Sequence, residues 1–114
     1  MEFNLDGKVF RSISNTRNGD VSAETRFHYR QMGDLVTADY SGGGIRIGHL
    51  IAKVMIGGRL DMRYHHVNDR GDFMLGKCIS TPERLPDGRL RFREEWQWLS
   101  GDLSSGHSEV EEVV

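Results

Sequence analysis

Strict alternation between apolar and polar side chains marks four stretches of the chain. From Glu24 to Gln31, Thr25, Phe27, Tyr29 and Gln31 fall on one side and Glu24, Arg26, His28 and Arg30 on the other. In Val36–Tyr40, Val36, Ala38 and Tyr40 oppose Thr37 and Asp39. Leu60, Met62, Tyr64, His66 and Asn68 oppose Arg59, Asp61, Arg63 and His65, and Leu90, Phe92, Glu94, Trp96 and Trp98 oppose Arg89, Arg91, Arg93, Glu95 and Gln97. A period of two is that of a β-strand with one wet and one buried face.

Turn signals punctuate these stretches at Asn18-Gly19, Gly33-Asp34, Gly42-Gly43-Gly44, Gly57-Gly58, Asn68-Asp69-Arg70-Gly71, Pro86-Asp87-Gly88 and Ser100-Gly101. Seven reversals predict eight consecutive strands, and the spacing leaves room for a strand and a short loop but not for a crossover helix. No window carries apolar residues at i, i+3, i+4 and i+7 between capping signals. The buried faces must then be covered by a second sheet or by closure of the sheet on itself. Closure into an up-and-down antiparallel barrel removes both edges and suits an even strand number. A Greek-key sandwich, the alternative, needs a long return connection that the spacing does not provide.

Two segments break the alternation. Ile45–Ile56 puts Ile45, Ile47 and Ile51 opposite Leu50, Val54 and Ile56, and Phe73–Ile79 puts Phe73, Leu75 and Ile79 opposite Met74, Gly76 and Cys78. Strands apolar on both sides are buried on both sides, which predicts a homo-oligomer joined through the outer faces of Ile45–Ile56 and Phe73–Ile79; a long loop folded over that face is the alternative.

Composition narrows the function. The 114 residues, 37% hydrophobic and 28% charged, make one domain spanning residues 1–114. A formal charge of −2 without a Lys/Arg cluster gives no footprint for nucleic acid or an anionic membrane. No apolar run approaches a membrane span, the N-terminal residues lack a signal-peptide pattern, and the single cysteine, Cys78, cannot form an internal disulfide. Together these predict a cytoplasmic protein.

With the wet faces outward, the interior collects Phe27, Tyr29, Tyr40, Tyr64, Phe92, Trp96 and Trp98, together with Gln31, His66, Asn68 and Glu94. Buried polar groups need partners. Glu94 has candidate partners in His66 and in an arginine such as Arg11. Aromatic walls with a few polar groups match a small-molecule site, and an eight-stranded barrel is about wide enough for one small ligand. The candidate ligand-binding residues are Tyr29, Tyr40, Tyr64, His66, Glu94, Trp96 and Trp98, with Gln31 and Asn68 as rim residues. An enzymatic alternative uses Glu94 and His66 as acid and base beside a polarising Tyr29, Tyr40 or Tyr64. A filled structural barrel is a third reading.

No cofactor or metal is called for. His65 and His66, adjacent on a strand, point to opposite faces; His28 and His65 could meet only across the outer surface, and a structural zinc site would want four ligands. Gly42-Gly43-Gly44 lacks the Lys-Ser/Thr of a phosphate loop.

The segments Phe10-Arg-Ser-Ile-Ser-Asn15, Tyr40-Ser-Gly-Gly, Gly76-Lys-Cys78, Pro86-Asp-Gly-Arg-Leu90, Glu95-Trp-Gln-Trp98 and Ser104-Ser-Gly106 resemble a family of small bacterial proteins of avidin-like, calycin type and unproven function. Its members often carry the label N-acetylglutamate synthase. Trp96-Gln-Trp98-Leu-Ser-Gly101 is similar to a tryptophan-bearing strand and turn of streptavidin. The resemblance implies a barrel and an internal site, but not biotin, and Gly7-Lys8-Val9-Phe10 departs from the Gly-x-Trp signature of lipocalins. The synthase label finds little support: Arg30-Gln31-Met32-Gly33-Asp34-Leu35 lacks the last small residue of a coenzyme A loop and leads into a strand, where that loop opens a helix.

Overall fold

Eight antiparallel strands close on themselves in chain order, each hydrogen-bonded to its sequence neighbours and β1 to β8. They are β1 (Val9–Asn15), β2 (Arg26–Met32), β3 (Leu35–Gly42), β4 (Ile45–Val54), β5 (Leu60–Asn68), β6 (Phe73–Arg84), β7 (Leu90–Trp98) and β8 (Ser105–Glu112). A single 3-10 turn, Ile56–Gly58, links β4 to β5. The computed structural model describes residues 3–114, and no helix among them is long and apolar enough to cross a membrane. All seven glycine signals fall at strand ends or between strands, so the up-and-down barrel follows the punctuation of the sequence.

The inward faces stack in levels. At one end lies a dry floor in which Phe10, Val36, Leu60, Leu90, Phe92 and Val110 are almost wholly buried. The N-terminal segment plugs this end: Leu5 is buried, its amide donates to Gln31 Oε1 at 2.8 Å, and Phe3 packs edge-on against Phe92. Tyr29 packs on Phe10 with ring centroids 5.1 Å apart. At the other end β1 pairs with β2 over only three residues, Val9↔His28 to Arg11↔Arg26. The β1–β2 connection, residues 16–25, is freed from the wall there and crosses the mouth of the barrel.

One irregularity corrects the sequence reading. The β4–β5 register shifts between Ile45 and Ile47, a bulge at Arg46. Ile45 therefore points inward and is buried, while Ile47 and Ile51 point outward and are 68% and 53% exposed. The insertion of one residue flips the face of everything before it, which is why Ile45 does not share a side with Ile47. β6 needs no correction: Gly76, Cys78 and Ser80 face inward and Phe73 and Leu75 outward. No loop covers the outer faces of Ile47, Ile51, Phe73 and Leu75, so the covering-loop alternative does not hold.

Candidate functional site

Between the floor and the mouth the barrel leaves a cavity of about 50 Å³. Its wall is made of cross-strand rows in which a large ring faces a small residue. Tyr40 lies opposite Gly48, Tyr64 opposite Gly76 and Trp96 opposite Gly106. In each pair the ring occupies the place where a Cβ on the glycine would stand. A larger residue at any of these glycines would push its ring into the lumen. The glycines let the aromatics lie along the wall, and the centre stays open.

Glu94 sits at the base of this space. Its register neighbours are Ser80 on β6 and Ser108 on β8. Ser80 Oγ donates to Glu94 Oε2 at 2.8 Å and Ser108 Oγ to Oε1 at 3.2 Å. No lysine or arginine lines the cavity, and neither His66 nor Arg11, the partners that the filled-barrel alternative would give it, is paired with this carboxyl. Burial pushes the Glu94 carboxyl above its usual range, against the two serine hydrogen bonds that lower it. Burial likewise raises the Tyr40, Tyr64 and Cys78 side chains, so all three remain protonated at neutral pH.

The mouth is closed by a polar chain. His66, 2% exposed, meets Asp20 of the crossing loop, Nε2 to Oδ2 at 2.9 Å, and Tyr40, Nδ1 to the phenolic oxygen at 2.9 Å. The neutral imidazole satisfies both contacts when Nε2 donates to Asp20 and Nδ1 accepts from Tyr40. Burial lowers the His66 pKa and the Asp20 hydrogen bond opposes that shift. Asn68 Nδ2 and the exposed Arg70 add donors to the same carboxylate at 3.3 and 3.4 Å. Asn68 is fully buried and uses its Oδ1 to accept from the Arg70 and Asp72 amides, so it shapes the β5–β6 turn under the loop. Trp98 ties the loop from inside, its Nε1 donating to the Asn18 carbonyl at 2.9 Å, while Trp96 Nε1 donates to Oδ1 of Asn15, the last residue of β1, at 3.1 Å.

Asp20 is thus the latch of the loop. Asp20→Ala strands the His66 and Asn68 donors and is expected to loosen the backbone around Arg17, whose side chain is already exposed. Trypsin cleavage after Arg17 should accelerate by about tenfold, as expected for a loop that loses a charged hydrogen-bond network. Unchanged cleavage, read by mass spectrometry of the fragments, would show that the remaining ties, among them Trp98 Nε1 to the Asn18 carbonyl and Asn18 Nδ2 to Ser104 and Ser105, hold the loop without Asp20.

Of the residues picked from sequence, the structure brings Tyr40, Tyr64, His66, Glu94, Trp96 and Trp98 together around one cavity. Tyr29 lies in the layer toward the floor and does not line it. Gln31 is at the opposite end, where it holds Leu5 and the Gly33 carbonyl. Asn68 stands behind Asp20. The cavity is also lined by Asn15, Gly19, Asp20, Val21, Phe27, Leu50, Met62, Cys78 and Ser108; of these, periodicity places Phe27 and Met62 on inward faces, without a binding role. Asp20 belongs to a loop, where no periodicity applies. His28 and His65 are exposed and do not meet: His65 lies opposite His49, ring centroids 6.1 Å apart, and His28 opposite Asp39. Among the described residues no group of three or more His, Cys, Asp or Glu is placed to hold a metal ion.

An eight-stranded up-and-down barrel has an interior that side chains either fill or leave wide enough for one small ligand. The chain belongs to the family described as avidin-like protein, whose match runs over residues 3–113. A search of curated proteins and a search of solved structures gave no match.

Proposed function

We propose that this barrel is a binding protein for a small molecule, held in the lumen between Tyr40, Tyr64, His66, Glu94, Trp96 and Trp98. The observation that carries the reading is Glu94: a carboxyl at the base of a space that the glycine-backed rings leave open, with two serine hydroxyls and no cation. A carboxylate kept there without a charge partner costs stability, and a ligand would offset that cost. With the loop latched, the cavity is about one third of the roughly 150 Å³ that admits benzene in an engineered protein core. A ligand of more than a few heavy atoms therefore requires the residue 16–25 loop to lift.

Binding is favoured over turnover because both nitrogens of His66 are engaged, and burial holds the Tyr40 hydroxyl protonated. Native mass spectrometry of freshly purified protein tests the proposal. A retained small molecule, lost on denaturation, is expected; uniformly ligand-free preparations, with no rise in melting temperature across a metabolite library, would overturn it.

The protein is further read as a homo-oligomer. Ile47, Val67 and Phe73 face outward in one cross-strand row, with Leu75 and Ile51 beside them. A second copy is the occupant this face suits, since a two-fold contact buries the same row on both subunits. Sedimentation should give a multiple of the 13.0 kDa chain mass, reduced to that of one chain by Phe73→Glu with Ile47→Glu. A monomeric mass for the unaltered chain would end this reading. The buried, unpaired Cys78 is in keeping with a cytoplasmic setting, where thiols stay reduced.

A further inference from the structure

Resting on the reading of the lumen as a binding site, we infer that its ligand is an organic cation bearing N–H donors, an alkylammonium or guanidinium group seated on Glu94 between the aromatic rings.

Three features of the cavity select for that chemistry. The first is charge. The ionisable acids on its lining are Glu94 and Asp20, and no lysine or arginine accompanies them. Arg70, which reaches Asp20 from outside, is 64% exposed and at 3.4 Å. An anionic ligand would meet two carboxyls and no cation, and would be repelled at both ends of the lumen.

The second is the hydrogen-bonding capacity that remains. Each oxygen of Glu94 accepts one serine hydroxyl, which leaves about two of four lone-pair directions unused. At the base of the lumen, Ser80 and Ser108 both spend their protons on Glu94, and Cys78 offers only a weak thiol. The base therefore accepts more strongly than it donates. A ligand group with two or three N–H bonds fits the vacancies, and a carbonyl or carboxylate does not.

The third is the wall. Tyr64 and Trp98 meet edge to face with centroids 6.1 Å apart, Trp96 and Trp98 are tilted at 5.3 Å, and Tyr40 closes the side toward His66. Aromatic faces around a desolvated cation add favourable quadrupole attraction. The limited size of the latched cavity matches a head group of four or five heavy atoms.

Pairs of probes that share a shape and differ in charge provide the test: propylammonium against propan-1-ol, and methylguanidinium against methylurea. Each is titrated at neutral pH and constant ionic strength, with melting temperature and the fluorescence of Trp96 and Trp98 as readouts and potassium chloride as the blank. Both cations should give a saturable response at millimolar concentration and the uncharged partners a response at least several-fold weaker. Glu94→Gln should weaken the cations by about tenfold or more, the scale of one charged hydrogen bond, and leave methylurea unweakened. Equal or stronger responses to the uncharged probes, cation responses that survive Glu94→Gln, or no response to either cation would each overturn the cation assignment. A neutral or anionic molecule retained in native mass spectrometry would overturn it while leaving the lumen a binding site, so the two readings fail separately.

Discussion

Gly48→Ala is expected to destabilise the barrel by about 2–3 kcal/mol, the upper part of the range for overpacking a well-filled core. The new methyl would collide with the ring of Tyr40, whose Cζ and Cδ2 lie 2.5 and 2.8 Å from its position. Tyr40 cannot swing away cheaply. Its ring stacks on Phe27 at 4.9 Å and its hydroxyl is engaged with His66. Displacement into the lumen would break the hydroxyl contact and take up cavity volume, so ligand binding should fall with stability. Alanine at Gly33, by contrast, meets nothing within 4 Å and pays only for a φ of 64°, about 1 kcal/mol. Thermal or urea unfolding of the two variants separates the effects: a Gly48→Ala loss no larger than that of Gly33→Ala would mean that the rings are free to repack and that the glycines do not hold the lumen open.

These glycines also mark where the sequence stops being readable. Runs such as Gly42-Gly43-Gly44 announce turns by composition alone, and every such signal lies at a strand end or between strands. Gly48, Gly76 and Gly106 sit inside strands, and their role depends on which residue of the neighbouring strand comes opposite. Register is a property of two strands, set here by turn lengths and by the bulge at Arg46, so no single stretch reveals it. The serines beside Glu94 were hidden for the same reason. The inward set of the four alternating strands was legible because each strand carries its own period, and those strands supply Tyr40, Tyr64, His66, Glu94, Trp96 and Trp98. Alternation shows the face and not the height, however. Tyr29 and Gln31 share the inward face with Phe27 but lie toward the plugged end, and only Phe27 reaches the cavity. Asp20 was legible in neither way, since its loop follows no period and its role comes from crossing a mouth that exists only once the barrel closes.

Glu94→Gln should stabilise the ligand-free protein at neutral pH by on the order of 1–2 kcal/mol, as when a buried charge lacking a counter-ion is replaced by a neutral group of similar shape. The sign follows from linkage. Burial raises the Glu94 pKa in the folded protein above its usual 4.5, so between that value and the raised one the folded chain holds the proton more tightly than the unfolded chain does. Stability therefore falls as pH rises through this window and stays reduced above it. His66 acts in the opposite sense: its lowered pKa makes the unfolded chain bind the extra proton, so its contribution is lost as pH falls below about 6.5. The two slopes have opposite signs, so the pH profile of the unaltered protein alone does not isolate the Glu94 part. The difference in unfolding free energy between Glu94→Gln and the parent removes the His66 part, and it should be close to zero near pH 4, where Glu94 is protonated in both states, and grow toward neutral pH. A difference that is flat with pH, or a variant less stable than its parent at neutral pH, would mean that Glu94 already has its charge balanced inside the barrel. A variant both more stable and unable to hold the ligand would identify Glu94 as a group retained for binding at the expense of stability.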